Sequence, residues 1–327
     1  MSNVPLLSLE EVSVCFPTDD GPAYAVNNLS FSIQPGEVLG LVGESGCGKS
    51  LSSLAILRLV PRPGKIEKGT ITFDGKDILT LPEEEVRKIR GADIALIPQD
   101  PLTSLNPVYT VGDQIMEVLA LHQKLDPHAA KQRAIELLDM VQIPNAAERI
   151  NDYPHQFSGG MRQRTMIAMA LSCTPKLLIA DEPTTALDVT VQAQILDLLR
   201  EIRKENNTAI LMITHDLGVV AEMCDNVAVM YAGSLAEEAN VRDLFANPKH
   251  PYTKGLLNSL PTMTRKRLEP IEGQPPSITE IPPGCPFEPR CPERMDVCTS
   301  KFPAVTLTDG AHDKHRVCCY LYEPAKV

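Results

Sequence analysis

Residues 43–50 read Gly43, Glu44, Ser45, Gly46, Cys47, Gly48, Lys49, Ser50, a full match to G-x-x-x-x-G-K-[ST]. No other stretch constrains the fold as strongly. An apolar run, "GEVLGLV", precedes it and an apolar segment, "LSSLAILRLV", follows, so the order is strand, tight turn, helix. Glycines let the backbone wrap closely enough for its N–H groups to face phosphate oxygens, and the helix start adds positive dipole. Lys49 supplies a point charge and the Ser50 hydroxyl can ligate Mg²⁺. A chain carrying this unit folds as α/β around a largely parallel sheet.

The rest of the pattern agrees. "KLLIADEP" at 176–183 and "TAILMITHD" at 208–216 are short apolar runs that read as buried strands. Between them, residues 189–205 place Val191, Ile195, Leu198, Leu199 and Ile202 at helical spacing. Residues 66–79 alternate around Asp74-Gly75, which predicts an antiparallel hairpin, and residues 110–150 read as a helical subdomain. Asp181 and Glu182 close the strand of 176–183, at the edge where such sheets gather ligand contacts. One carboxylate can hold Mg²⁺ while the other orients an attacking water. Ser158, Gly159 and Gly160 stand directly before "MRQRTMIAMALS". They make either an ordinary helix cap or a second phosphate cradle.

With 327 residues and 43% apolar content the chain suggests two domains, and its proline-rich stretch after residue 250 places the boundary there: 1–250 and 251–327. The net charge of −11 is uneven. Residues 251–327 hold ten Lys and Arg against nine Asp and Glu, so the acidity lies in 1–250, and neither part is a basic nucleic-acid surface. No apolar run is long enough to span a bilayer and the start shows no signal-peptide pattern, so the chain is expected to stay in the cytosol.

The nine cysteines divide into two sets. Cys15, Cys173 and Cys224 fall beside apolar residues and read as core groups, with Cys47 a small side chain in the glycine loop. The others follow Cys285-x5-Cys291-x6-Cys298-x19-Cys318, with Cys319 adjacent. A metal centre would stabilise a segment with so little apolar material. Zinc sites usually begin with closer pairs, whereas an iron–sulfur cluster tolerates these gaps; unliganded thiols or a disulfide are the remaining readings. His312 and His315 lie near Cys318 as further candidate ligands, or as surface residues.

Together with Gln99 in "IPQDP", "FSGGMRQR" from Phe157, "ALD" at Ala186–Asp188 and "THD" at Thr214–Asp216, these motifs resemble the ATP-binding cassette family. The resemblance implies a P-loop NTPase fold with an antiparallel β-subdomain, a helical subdomain and, here, a small irregular Cys-rich C-terminal domain. It implies that Lys49 and Ser50 bind phosphate and Mg²⁺, and that Gln99 senses metal and water. Asp181 would hold Mg²⁺, Glu182 would polarise the water and His215 would contact the γ-phosphate. Phe16 resembles the adenine-stacking aromatic, with Tyr24 the weaker candidate. Ser158, Gly159, Gly160 and Met161 would touch the nucleotide of a facing cassette, with Asp188 in the loop beside them; Phe157 and Met161 depart from the family's LSGGQ.

"PQDPLTSLNP", "NPKHPYTKGLLNSLP" and "GQPPS" before the cysteines are similar to the peptide and nickel importer branch. That branch implies a second, dissimilar cassette subunit, two membrane permeases, an external binding protein and no nucleic acid. It implies a peripheral place on the cytoplasmic face of the inner membrane. It also implies a four-iron, four-sulfur cluster on Cys285, Cys291, Cys298 and Cys318, with zinc as the alternative. A soluble cassette ATPase acting on nucleic acid or ribosomes is the rival function.

Overall fold

The computed structural model describes residues 4–19, 21–185, 187–259, 271–310 and 314–323. Ala186 and His312, named above, lie outside the described residues. In chain order the strands are β1 (Leu7–Thr18), β2 (Gly21–Ile33), β3 (Val38–Val42), β4 (Lys65–Phe73), β5 (Lys76–Asp77), β6 (Ile94–Ile97), β7 (Leu177–Asp181), β8 (Ala209–Ile213), β9 (Asn226–Tyr231), β10 (Ser234–Asn240), β11 (Thr306–Asp309) and β12 (Lys314–Val317). Two compact units divide them: Met1–Ile33, Val38–Leu79 and Met212–Val327 form one; Gln34–Glu37 and Thr80–Leu211 form the other.

In the first unit an antiparallel sheet runs β2-β1-β4-β5. The expected hairpin is its edge: Phe73 faces Lys76, and Asp74 and Gly75 both take positive φ, as a two-residue turn matching strand twist requires. A second ladder runs β11-β12-β10-β9-β3, in which β3 and β9 are parallel and the rest antiparallel. Every residue of β3 is buried, which explains why its sequence is a continuous apolar run without alternation.

The second unit contains β6 and β7, paired in parallel with Ile94 opposite Leu177, and the start of β8 beside β7. The helical subdomain is present as Val111–Gln123, Pro127–Met140 and Ala146–Arg149. Local chemistry sets its boundaries. Thr110 and Asp113 form a reciprocal capping box, and Asp126 caps the next helix with Pro127 at its first position. Helix Val189–Asn206 buries Ile195, Leu198, Leu199 and Ile202 as the spacing predicts, whereas Val191, in its first turn, is only half-buried.

The segment after residue 250 is more regular than its prolines suggest. It holds a helix, Pro251–Asn258, capped by the His250 ring, and two short 3-10 turns. It then returns as β12, which pairs with β10 through Glu237 opposite Val317, and β11 follows as the edge. Proline breaks helices but tolerates an edge strand, so its density predicted interruption correctly and missed this return.

Candidate nucleotide site and cysteine cluster

Gly43 to Ser50 join β3 to helix Lys49–Ile56. The glycines are obligatory where other backbone comes close. A Cβ on Gly43 would lie 2.3 Å from the Met230 carbonyl oxygen; one on Gly48, at φ +101°, would lie 2.4 Å from that of Ala25. Lys49 is almost fully buried, and its Nζ donates to the carbonyls of Gly43 (2.8 Å) and Glu44 (2.9 Å), folding the ammonium back over the loop. Cys47 is buried beneath it with Sγ 3.8 Å from Nζ, and burial raises its pKa. That is the packing role expected of it. Ser45 and Gly46 complete the turn before the helix, and Ser50 lies in the helix's first turn.

Other predicted residues of the first unit take clear positions. The Thr214 amide donates to the Leu41 carbonyl (3.4 Å), which sets exposed His215 just beyond the end of β3. Phe16, on β1, is half-buried with its ring against Gly64, where a Cβ would lie 2.6 Å from Cε1. Tyr24 instead donates its hydroxyl to Glu67.

In the second unit Asp181 is buried at the end of β7 and Glu182 follows at φ +49°. Glu182 Oε2 accepts from Gln99 Nε2 (3.0 Å) and from Thr185 Oγ1 (2.8 Å). The structure thus brings together Gln99 and Glu182, two of the predicted catalytic residues. Thr185 was not singled out; its position three residues after Glu182 in "DEPTT" was the available signal. Ser158 caps helix Gly159–Leu171 by accepting from the Met161 amide (3.3 Å), and Asp188 caps Val189–Asn206 by accepting from Val191 (2.9 Å). Gly160 lies against Val191, where a Cβ would be 3.1 Å from Cγ1. The signature and Asp188 loops are therefore packed together.

All nine cysteines are unbridged, so the disulfide reading does not hold. Cys285, Cys291, Cys298 and Cys319 line one small, largely enclosed cavity with Phe287, Met295, Pro303 and Tyr320. Cys318, the expected fourth ligand, is not in that lining. Its amide donates to the Ala236 carbonyl (2.9 Å), continuing the ladder of β12, and successive residues of extended chain face opposite ways. Burial, ahead of the neighbouring thiols, pushes Cys285 and Cys319 up to about 11 and raises Cys291. Burial likewise pushes Cys318 up to about 12. Among the described residues no three His, Cys, Asp or Glu are grouped to hold a single metal ion. His315 is buried and spends its Nε2 on Glu237 Oε1 (2.6 Å), so it is a core group rather than a surface residue or a ligand.

Among the described residues no helix is long and apolar enough to cross a membrane. Residues 26–185 match the ABC transporter family, and residues 236–298 match the family described as oligopeptide/dipeptide transporter, C-terminal region. The chain is 53% identical to the oligopeptide transport ATP-binding protein OppD of Escherichia coli (strain K12), across 93% of this chain and 91% of that protein. It is 51% identical to the dipeptide transport ATP-binding protein DppD of Bacillus subtilis (strain 168), across 97% and 95%. Among solved structures, the dimeric bacterial ABC transporter cassette MJ0796 aligns with a TM-score of 0.65 at 28% identity, covering 72% of this chain and 99% of that one.

Proposed function

The chain belongs to the ATP-binding subunits of the oligopeptide/dipeptide ABC transporters, and from that premise we propose how its residues couple ATP cleavage to peptide import. It is an ABC ATPase whose hydrolysis is coupled to transport. A nucleic-acid or ribosome function finds no support, since the match over residues 236–298 belongs to peptide transporters.

The observation that carries the nucleotide assignment is the Gly43–Ser50 loop. Backbone crowding leaves no room for a side chain at Gly43 or Gly48, and Lys49 is held over the turn. ATP phosphates would be bound by the amides of Ser45, Gly46, Gly48, Lys49 and Ser50 and by the Lys49 ammonium, with the Glu44 amide held by Tyr252 and Phe16 stacking on adenine. Mg²⁺ would be held by Ser50, Asp181 and Gln99, and when bound it neutralises charge developing on the transferred phosphoryl group. Glu182, steadied by Gln99 and Thr185, is assigned to orient the attacking water, and His215 to contact the γ-phosphate.

Ser158, Gly159, Gly160 and Met161 are assigned to the nucleotide of a facing cassette, with Asp188 beside them. The close approach of Gly160 to Val191, whose amide donates to the Asp188 cap, supports placing the two loops side by side. The facing subunit is proposed to be a second, dissimilar cassette beneath two permease subunits, on the cytoplasmic face of the inner membrane. An external binding protein would deliver the peptide.

Residues 251–327 are proposed as a Cys-rich extension following the cassette of 1–250. It would carry a four-iron, four-sulfur cluster on Cys285, Cys291, Cys298 and Cys319, in place of the set ending in Cys318. Four thiols around one cavity are the donor set such a cluster requires. When bound it would supply cross-links to a segment poor in apolar core. Purifying the tagged subunit from membranes tests the whole assignment. Permeases and a second cassette should accompany it, with MgATP hydrolysis by the assembly. A subunit found without integral membrane proteins, or an assembly inert to MgATP, overturns it.

A further inference from the structure

Every polar group of Glu44, the second residue of the nucleotide loop, is engaged. Its carbonyl accepts from Lys49 Nζ at 2.9 Å. Its other two groups are held from the far end of the chain. The amide donates to the Tyr252 hydroxyl at 2.9 Å, and the carboxylate accepts from both terminal nitrogens of Arg290, at 2.7 and 3.0 Å. The partners lie 208 and 246 residues away in sequence.

Both partners are firmly set. The Tyr252 side chain is fully buried, with its ring centroid 4.6 Å from Tyr231 and 5.4 Å from Phe287. The Arg290 side chain is only 6% exposed. Its Nε donates to the Glu272 carbonyl (3.0 Å), and its terminal nitrogens donate to Tyr231 Oη (3.2 Å) and the Ile271 carbonyl (3.4 Å). A guanidinium fixed by three further acceptors presents its fork to Glu44 in one orientation, and the bidentate pair adds geometric specificity to charge.

The charge balance gives the arrangement a purpose. A loop built to receive a polyanion carries a carboxylate at its second position. Left uncompensated, Glu44 would repel phosphate across a short, partly desolvated gap, where Coulomb interactions are stronger than in water. Arg290 cancels that charge and anchors the residue whose carbonyl steers Lys49.

We propose that Arg290 and Tyr252 are positioning residues of the nucleotide site: the C-terminal extension clamps Glu44, and through it sets the loop and Lys49 for phosphate binding. This rests on the nucleotide assignment made above. It makes the extension part of the ATPase machinery rather than an appendage to it.

The test is a double-mutant cycle on the full-length chain, reading MgADP affinity by calorimetry. Arg290→Met should weaken binding about tenfold, equal to about 1.4 kcal/mol. Adding Glu44→Gln to Arg290→Met should recover most of that loss, because the repelling charge is gone; a merely structural Arg290 would show no such rescue. Tyr252→Phe removes one hydroxyl only, and should weaken binding by about threefold. It also serves as the readout if the Arg290 variant fails to fold. Binding within twofold of wild type for Arg290→Met, or for Tyr252→Phe where it is the readout, overturns the proposal; so does additivity of the Arg290 and Glu44 effects. Wild-type chain that does not bind MgADP would instead refute the nucleotide assignment itself.

Discussion

Acid should unfasten the chain at His250. Its ring is buried, and Nδ1 accepts the Tyr252 amide at 3.0 Å, capping helix Pro251–Asn258. A nitrogen that accepts must be unprotonated. Burial, helped by the charge of Lys254 and opposed by Glu237, holds His250 down to about 4, against 6.5 for an unperturbed histidine. Glu237 also accepts the His250 and Lys249 amides and is bonded to His315.

The sign follows from proton counting. Above pH 6.5 neither folded nor unfolded chain protonates this ring, and the full stability is present. As pH falls toward 4 the unfolded chain takes the proton and the folded chain refuses it, so stability is lost. Over that window the loss is about 3 kcal/mol, from about 1.4 kcal/mol per pH unit. Urea unfolding of wild type and His250→Asn at pH 7 and pH 4 measures it. Asparagine keeps a cap acceptor and removes the titration, while the Glu237–His315 pair is common to both. Wild type should lose about 3 kcal/mol more than the variant between the two values. Equal losses would refute the reasoning.

Glu182→Gln should leave MgATP binding intact and lower turnover of the assembled transporter by about 100-fold or more, because the group oriented by Gln99 and Thr185 no longer attracts a proton from water; turnover within threefold of wild type would remove Glu182 from the mechanism. Gly48→Ala must move the Ala25 carbonyl and hold an L-residue at φ +101°, costing about 2 kcal/mol or more of stability, and an unchanged melting temperature would contradict the backbone crowding. Iron assays should show loss in Cys291→Ser and Cys319→Ser and retention in Cys318→Ser; iron lost from the last and kept in Cys319→Ser would restore Cys318 as the ligand.

How much could be read in advance depended on distance along the chain. The glycine loop, the buried strands β3, β7 and β8, the Asp74-Gly75 hairpin and the cap at Ser158 are local. In each, a short run of residue types carries its own steric or hydrogen-bonding reason for one conformation. The pairing of Gln99 with Glu182 spans 83 residues, yet both were named, because each belonged to a recognisable motif. Tyr252 lay within the quoted stretch "NPKHPYTKGLLNSLP" but with no chemistry attached to it, and Arg290 belonged to no motif: an arginine among prolines and a tyrosine opening a short helix look like surface and core. Cys318 and Cys319 are neighbours in sequence, and only the register of β12 decides which thiol faces the cavity.

The sequence by itself determined that this chain binds nucleotide in a cassette, since glycine, lysine, serine and carboxylate at those spacings leave little other chemistry available. The tertiary structure alone decided that the extension reaches Glu44, and that Cys319 rather than Cys318 joins the cluster of thiols. Contacts between residues hundreds of positions apart arise from how packed elements bring the backbone back on itself, and no local pattern encodes that return.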